Sequence, residues 1–267
     1  MRYYPETGIA APELNWVPSP TFILRRSAIF DVLDRLAPGS VLEMGCGAGA
    51  LLHELARRGY TGVGVEMSLD ARGLAEHILE GVDGMSVIGE LPNAAPGSFD
   101  YLLSFEVLEH IEDDRAALGH WVDYLRPDGV AVISVPAHRS KWNITDRLAG
   151  HYRRYNRDDV RRLIEGAGLE IEQLQTYGWP ASWFIERIRL IAYAIRARTR
   201  GVDVDAIAVG NADHTKASGV DRAMETRFFS LYASRPGRAA LAAATRIQRG
   251  FYQSDRGISF LAVARKP

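Results

Sequence analysis

One cysteine, Cys46, stands among 267 residues. A lone thiol excludes an internal disulfide framework and a cysteine-rich metal site. Net charge is nearly absent as well, because 32 Lys and Arg face 33 Asp and Glu, a formal balance of −1. Attraction of the whole molecule to nucleic acid is therefore not expected. No uninterrupted apolar run is long enough to span a bilayer. No basic-then-apolar leader opens the chain, and no internal repeat or low-complexity tract is found in it. These absences set the expectation of a protein in a reducing, cytoplasmic setting. What is present fits an ordinary globular chain: 47% hydrophobic and 24% charged residues, long enough for one sizeable α/β domain with an insertion.

The most informative segment is Val41-Leu42-Glu43-Met44-Gly45-Cys46-Gly47-Ala48-Gly49, followed by the amphipathic run Ala50–Ala56. It reads as a buried strand, a tight glycine turn and a helix start. Glycine allows positive φ and lets a ligand approach the main chain closely. Gly45, Gly47 and Ala50 also satisfy the dinucleotide pattern G-x-G-x-x-G/A, so the turn alone leaves the nucleotide open. A second apolar run, Gly62–Val65, ends in Glu66, 21 positions after Gly45. An acid at that place can accept hydrogen bonds from both ribose hydroxyls.

Two later segments narrow the choice. Ser98-Phe99-Asp100 through Glu109-His110-Ile111, and Leu125-Arg126-Pro127-Asp128-Gly129 through Val135-Pro136, follow in order. Together with Glu43, the glycines and Glu66, this order resembles class I S-adenosylmethionine-dependent methyltransferases of small-molecule type, over roughly residues 21–177. The resemblance implies S-adenosylmethionine as methyl donor and S-adenosylhomocysteine as product. It implies a doubly wound, mostly parallel seven-stranded α/β sheet, with helices on both faces and an antiparallel last strand.

The chain punctuates accordingly. Residues 1–18 hold Tyr3, Tyr4, Pro5, Pro12, Trp16 and Pro18 and are expected to be irregular or a short lid. Ser19-Pro20 is an N-cap and first-turn pair for a helix running to about Ala37. Strands are expected near 40–44, 61–65, 85–89, 99–104, 129–135 and 169–176, and helices near 49–58, 69–80, 112–125 and 157–166. Residues 180–256 read as a helical insertion, helical over 181–200, polar over 201–220 and helical again over 221–250. Ile258–Ala264 reads as the closing strand of a single domain.

The resemblance assigns the cofactor site to Glu43, Gly45, Cys46, Gly47, Gly49, Glu66, Met67, Glu90, Leu91, Phe105 and Glu106. Glu66 is the expected ribose ligand, and Met67 is placed to pack on adenine. Gly89-Glu90-Leu91-Pro92 is shorter than the family's adenine segment. Sulfonium is already a good leaving group, so alignment and water exclusion carry methyl transfer and no metal is expected. A hydroxyl acceptor also needs a base, for which His110 is the first candidate, with His138 and His151 next. Residues 136–156 and the aromatic N-terminus are expected to line the acceptor pocket, with Trp16, Trp142, Tyr152 and Arg154 in contact.

The acceptor class expected is a small molecule, through a hydroxyl of a sugar, glycolipid precursor or secondary metabolite. Nucleic acid is not expected as a partner, and a homodimer is compatible with the chain. Residues 181–200 carry Trp183, Phe184, Ile188 and Ile191 with five arginines against Glu186. Such a helix either packs over the sheet or touches an anionic membrane surface peripherally. Two other readings stay open: a non-catalytic S-adenosylmethionine-binding scaffold or sensor, and a nicotinamide-dependent oxidoreductase.

Overall fold

The computed structural model describes residues 1–200 and 223–267. The polar stretch expected at 201–220 lies outside the described residues, as do the side chains of Arg189 and of residues 192–200. The chain opens with a hairpin of β1 (Arg2–Tyr4) and β2 (Gly8–Ala10), followed by α1 (Pro20–Leu33). The main sheet contains β3 (Ser40–Met44), β4 (Thr61–Val65), β5 (Met85–Ile88), β6 (Phe99–Phe105), β7 (Leu125–Pro136), β8 (Glu170–Tyr177) and β9 (Ser259–Arg265). Its order is β5-β4-β3-β6-β7-β9-β8, with β9 antiparallel to both neighbours and the first five strands parallel. This is the expected doubly wound sheet with an antiparallel last strand.

The helices between strands are α2 (Ala50–Ala56), α3 (Leu69–Ile78), α4 (Asp114–Asp123), α5 (Ile144–Ala149) and α6 (Arg157–Gly166). Between β8 and β9 come α7 (Ala181–Arg200), α8 (Ala223–Tyr232) and α9 (Arg235–Arg249). Two apolar cores result. One sets Leu118, Trp121 and Val122 of α4 and Val160, Leu163 and Ile164 of α6 against the sheet. The other packs Ile29, Phe30 and Leu33 of α1 and Leu51, Leu52 and Leu55 of α2 against it. Apolar burial on both sheet faces is the dominant favourable term in such a fold.

Local chemistry explains the boundaries. The Ser19 hydroxyl accepts from the Phe22 amide at 3.2 Å, and Pro20 opens α1. The helix stops at Leu33, short of Ala37. Asp159 accepts from the Asn156 amide at 2.9 Å at the start of α6. Strand β7 begins at Leu125, earlier than expected, because Leu125 pairs with Phe99 before the register shifts. Asp128 sits at φ 60° within that irregularity, which is where a strand tolerates Pro127.

Two expectations are corrected. Residues 1–18 form a built-in hairpin (residues 2–10) and a short helical turn (Pro12–Leu14), not an irregular lid: Ile9 and Trp16 join a core with Ala50, Leu74 and Ile78, while Ala10 and Val17 pack on Phe229 of α8. Segment 136–156 contains a helix, α5, that the sequence reading omits. Helix α7 turns Ser182 and Ile185 inward but leaves Trp183, Phe184, Ile188 and Ile191 exposed. Among the described residues no helix is long and apolar enough to cross a membrane.

Candidate active site

A cavity of about 590 Å³ opens at the carboxyl ends of the parallel strands, lined by Met44, Val65, Phe105 and Pro136 from the ends of β3, β4, β6 and β7. That edge is where ligands bind in open α/β sheets, because the strand-to-helix turns there diverge and expose backbone N–H groups. Gly45, Cys46 and Gly47 form one wall. A Cβ built on Gly47, at φ 55°, meets nothing within 4 Å, so the turn leaves open space beside it. Gly49 is different: it is the N-cap of α2, lies off the cavity wall, and a Cβ there would come within 3.0 Å of Ala75. Its expected place in the cofactor floor is corrected to the packing of α2 on α3.

Glu66 stands at the tip of β4, its Oε2 accepting from the Gly47 amide at 2.9 Å and its Oε1 from the Ser68 amide at 2.8 Å. It thereby stitches the glycine turn to the next helix and faces the cavity beside Met67, which is 82% exposed at the rim. Glu43 is buried behind the turn with Oε2 unpartnered. Burial, reinforced by Glu66 and opposed by Arg25, pushes its carboxyl up to about 8. Burial likewise raises the Cys46 thiol well above its ordinary range, so it is not a thiolate nucleophile. Glu90 and Leu91 lie off the cavity, Glu90 being exposed and Leu91 packed on the sheet core.

On the opposite wall the chain brings together residues far apart in sequence. Glu106, at φ 60°, accepts from Ser134 at 2.9 Å, Tyr177 at 3.0 Å and Ser259 at 3.1 Å, hydroxyls of β7, β8 and β9. A short turn then delivers Glu109 and His110. The Tyr152 amide donates to the Glu109 carbonyl at 2.7 Å, fastening the 136–156 segment across the cavity. His110 and His151 meet edge to face, with ring centroids 4.6 Å apart. Asp146 accepts from His151 Nδ1 at 3.0 Å and from Arg154 at 2.7 Å, while its other oxygen accepts from the Asn143 amide at 2.8 Å.

The electrostatics follow from burial. Burial and neighbouring His151 lower His110 to about 4, so it is neutral at physiological pH. Burial works against the charge on Asp146, but the bonds from His151 and Arg154 outweigh it and hold the carboxyl below its usual range. Burial, followed by the Glu106 charge, lifts Glu109 well above the carboxylate range. Both Glu109 oxygens, Glu43 Oε2, His110 Nδ1 and Trp16 Nε1 are buried without a hydrogen-bond partner. Each such group costs about 1–3 kcal/mol if left unpaired. Their convergence on one cavity is what a polar ligand offsets.

Of the expected residues, the cavity wall gathers Trp16, Glu43, Gly45, Cys46, Gly47, Glu66, Met67, Phe105, Glu106, His110, His151 and Arg154. It does not gather His138, Trp142 or Tyr152. His138 turns at φ 66° and sets its ring 5.6 Å from Phe260. Trp142 and Tyr152 are 39% and 43% exposed. Sequence reasoning passed over Asp146, Glu109 and Arg25. Asn143-x-x-Asp146 carried the capping signal for the first of these. Glu109 entered only as part of the Glu109-His110 pair that carries the resemblance, and nothing local marked Arg25.

The profile described as "Methyltransferase domain" matches residues 23–174, more than half of the chain, including the ends of β3, β4, β6 and β7 that line the cavity. The chain belongs to the methyltransferase domain family.

It is an S-adenosylmethionine-dependent methyltransferase, which sets aside the nicotinamide reading. It is similar to the ubiquinone biosynthesis O-methyltransferase of Chromobacterium violaceum, 26% identical over 170 residues, 56% of this chain and 73% of that one. It is also similar to the enzyme of that name from Dinoroseobacter shibae, 30% identical over 148 residues, 49% and 59% of the two chains. The second match thus spans little more than half of the relative's length. Among solved structures, an S-adenosylmethionine-dependent methyltransferase from Mesorhizobium loti has a TM-score of 0.56 at 15% identity, over 92% of this methyltransferase and 98% of that chain. The [4+2]-cyclase SpnF has a TM-score of 0.55 at 15% identity, over 99% and 87%. Those two share the fold; at that identity the fold alone does not specify chemistry.

Proposed function

We propose that this methyltransferase methylates a hydroxyl group of a small aromatic acceptor. One observation carries the reading: Glu109, His110 and His151 converge on the cavity wall, with Asp146 behind His151. An amine acceptor attacks a sulfonium methyl through its own lone pair. A hydroxyl must lose its proton, and this cluster is where it can do so. The relatives' name, "ubiquinone biosynthesis O-methyltransferase", supports oxygen as the acceptor atom and an aromatic ring as its carrier. The sugar and glycolipid acceptors expected from the sequence have no counterpart among those names.

In this reading Gly47 and Glu66 hold the nucleoside half of S-adenosylmethionine, and Glu43 faces its sulfonium end. The acceptor lies between Trp16, Ile185 and the histidine pair. The hydroxyl oxygen attacks the methyl carbon in line as the carbon–sulfur bond breaks, leaving neutral S-adenosylhomocysteine. The wall supplies alignment and excludes water. The test is transfer of labelled methyl from S-adenosylmethionine to a panel of catechols, phenols, anilines and sugars. Label on the phenolic members, reduced at least tenfold by His151→Ala, is the expected result. Label confined to anilines or sugars overturns the reading, and cofactor binding without transfer to any member favours a scaffold.

A further inference from the structure

We propose that Glu186, carried on the inserted helix α7, is a positioning residue for His151, acting through Arg154, Asn143 and Asp146. Its effect on catalysis rests on the O-methylation reading, in which His151 takes the acceptor proton; its effect on the imidazole does not. In the sequence Glu186 is the one acid of α7, set among five arginines. The structure turns it inward. It lies on the cavity wall beside Ser182 and Ile185, where it meets residues of the 136–156 segment.

One oxygen of Glu186 serves two partners. Oε1 accepts from the Asn143 side-chain amide at 3.0 Å and stands 3.7 Å from the Arg154 guanidinium. Those two residues also hold Asp146. Arg154 Nε donates to Asp146 Oδ1 at 2.7 Å, and the Asn143 backbone amide donates to Oδ2 at 2.8 Å. The third partner of Asp146 is His151 Nδ1, 3.0 Å from Oδ1. A carboxylate ringed by N–H donors is the acceptor in that contact, so Nδ1 carries the imidazole proton. Nε2 then keeps its lone pair, 4.0 Å from Glu109 Oε1.

Burial makes the arrangement sensitive to each partner. Asp146 is 1% and Arg154 7% exposed, so water does not replace a lost contact freely. The three guanidinium nitrogens have three different partners: Nε has Asp146, Nη1 the Ala137 carbonyl at 3.4 Å, and Nη2 Glu186. A planar fork held at three points is fixed in orientation. Without Glu186 the guanidinium can swing about its bond to Asp146, and Asn143 loses the contact that steadies its side chain. The Asp146 carboxylate then no longer fixes the ring. A general base acts only within hydrogen-bond reach of the proton it takes. In the reaction the acceptor hydroxyl gives that proton to His151 Nε2, and its oxygen attacks the methyl carbon. The carbon–sulfur bonding pair stays on sulfur, and the imidazolium passes the proton to water. Helix α7 thus belongs to the proton-accepting apparatus and is not only a wall over it.

The experiment takes two readouts on the full chain. The first is the nitrogen NMR spectrum of the histidine rings at mildly alkaline pH, with His151 assigned by its loss in His151→Ala. The unmutated protein should show one His151 tautomer, protonated on Nδ1. Glu186→Ala should mix the two tautomers, as should Asp146→Asn. Glu186→Gln keeps an acceptor oxygen for Asn143 and Arg154 and should restore the single tautomer. The second readout is catechol methylation. Glu186→Ala should lower kcat about 10- to 100-fold, with KM for S-adenosylmethionine unchanged, and Glu186→Gln should recover most of that loss. In a His151→Ala background, Glu186→Ala should cost nothing further, because both changes remove one function. S-adenosylhomocysteine binding reports that each variant is folded. A His151 ring that does not respond to Glu186→Ala overturns the proposal, as does an undiminished further loss of kcat in the His151→Ala background. Tautomers that respond to Glu186, with methylation indifferent to His151→Ala, keep the positioning and remove His151 as the base. A fixed tautomer in every Glu186 variant, with methylation lost in His151→Ala, does the reverse.

Discussion

Glu43 shows how a single buried side chain links the site to pH. Its carboxyl rises from the ordinary 4.5 to about 8, chiefly through burial. Between those values the unfolded chain has released a proton that the native state keeps. The unfolded state then binds fewer protons, so stability falls as pH rises through that window and is flat above it. Glu43→Gln should abolish this fall. Relative to the variant, the unmutated protein should lose up to about 5 kcal/mol across the window, measured by urea unfolding at both ends. Equal slopes for the two proteins would mean that Glu43 is already ionised in the fold. Glu66 was legible in sequence because a strand tip fixes its place. Asp146 was not, because its chemistry depends on His151 and Arg154 arriving from across a turn.

At the scale of elements, the glycine turn divides its labour. Gly47 and Gly49 both have positive φ, so an alanine at either costs about 1–2 kcal/mol of backbone strain. Only Gly49 adds a tight contact, 3.0 Å to the Ala75 side chain, and only Gly47 lies on the cavity wall. Gly49→Ala should therefore lower the melting temperature more. Gly47→Ala should weaken S-adenosylhomocysteine binding more, by at least tenfold in calorimetric titration. The opposite ranking would mean that the cofactor does not approach this turn. The motif announced three glycines but not their separate duties, which depend on how α3 packs beside α2. In the same way α5 was missed because six residues carry too little periodicity to register.

Across the whole molecule, α1 and α2 are joined by the buried ion pair of Arg26 with Glu54, from helices on the same sheet face. Glu54 is fully buried, and removing Arg26 leaves it only the more distant Arg58, 3.6 Å away. Arg26→Ala should cost about 3–5 kcal/mol of unfolding free energy. Replacing both residues by methionine should recover most of that loss, as read by denaturant midpoints. A small loss from Arg26→Ala would mean that water reaches Glu54. Arg249 with Asp31 at 2.7 Å, and Gln248 with the Leu24 carbonyl at 2.9 Å, carry the same tie from α1 to α9. The helices between β8 and β9 are thus fastened to the cofactor-binding half at their far end.

The sequence by itself determined the alternation of strands and helices, the glycine turn and the acid at the tip of β4, and its resemblance to a family pointed to the methyl donor. The first three rest on local signals: apolar period, turn residues and spacing along one strand–turn–helix unit. Tertiary structure decided which histidines reach the cavity. His138 and His151 stand in one polar segment and looked equivalent in sequence. The backbone at His138 turns its ring onto Phe260, while the hydrogen bond from Tyr152 to Glu109 brings His151 against His110. That choice depends on contacts between residues about 40 positions apart. No local pattern encodes them, because the free energy that selects them comes from burial and pairing in the completed fold.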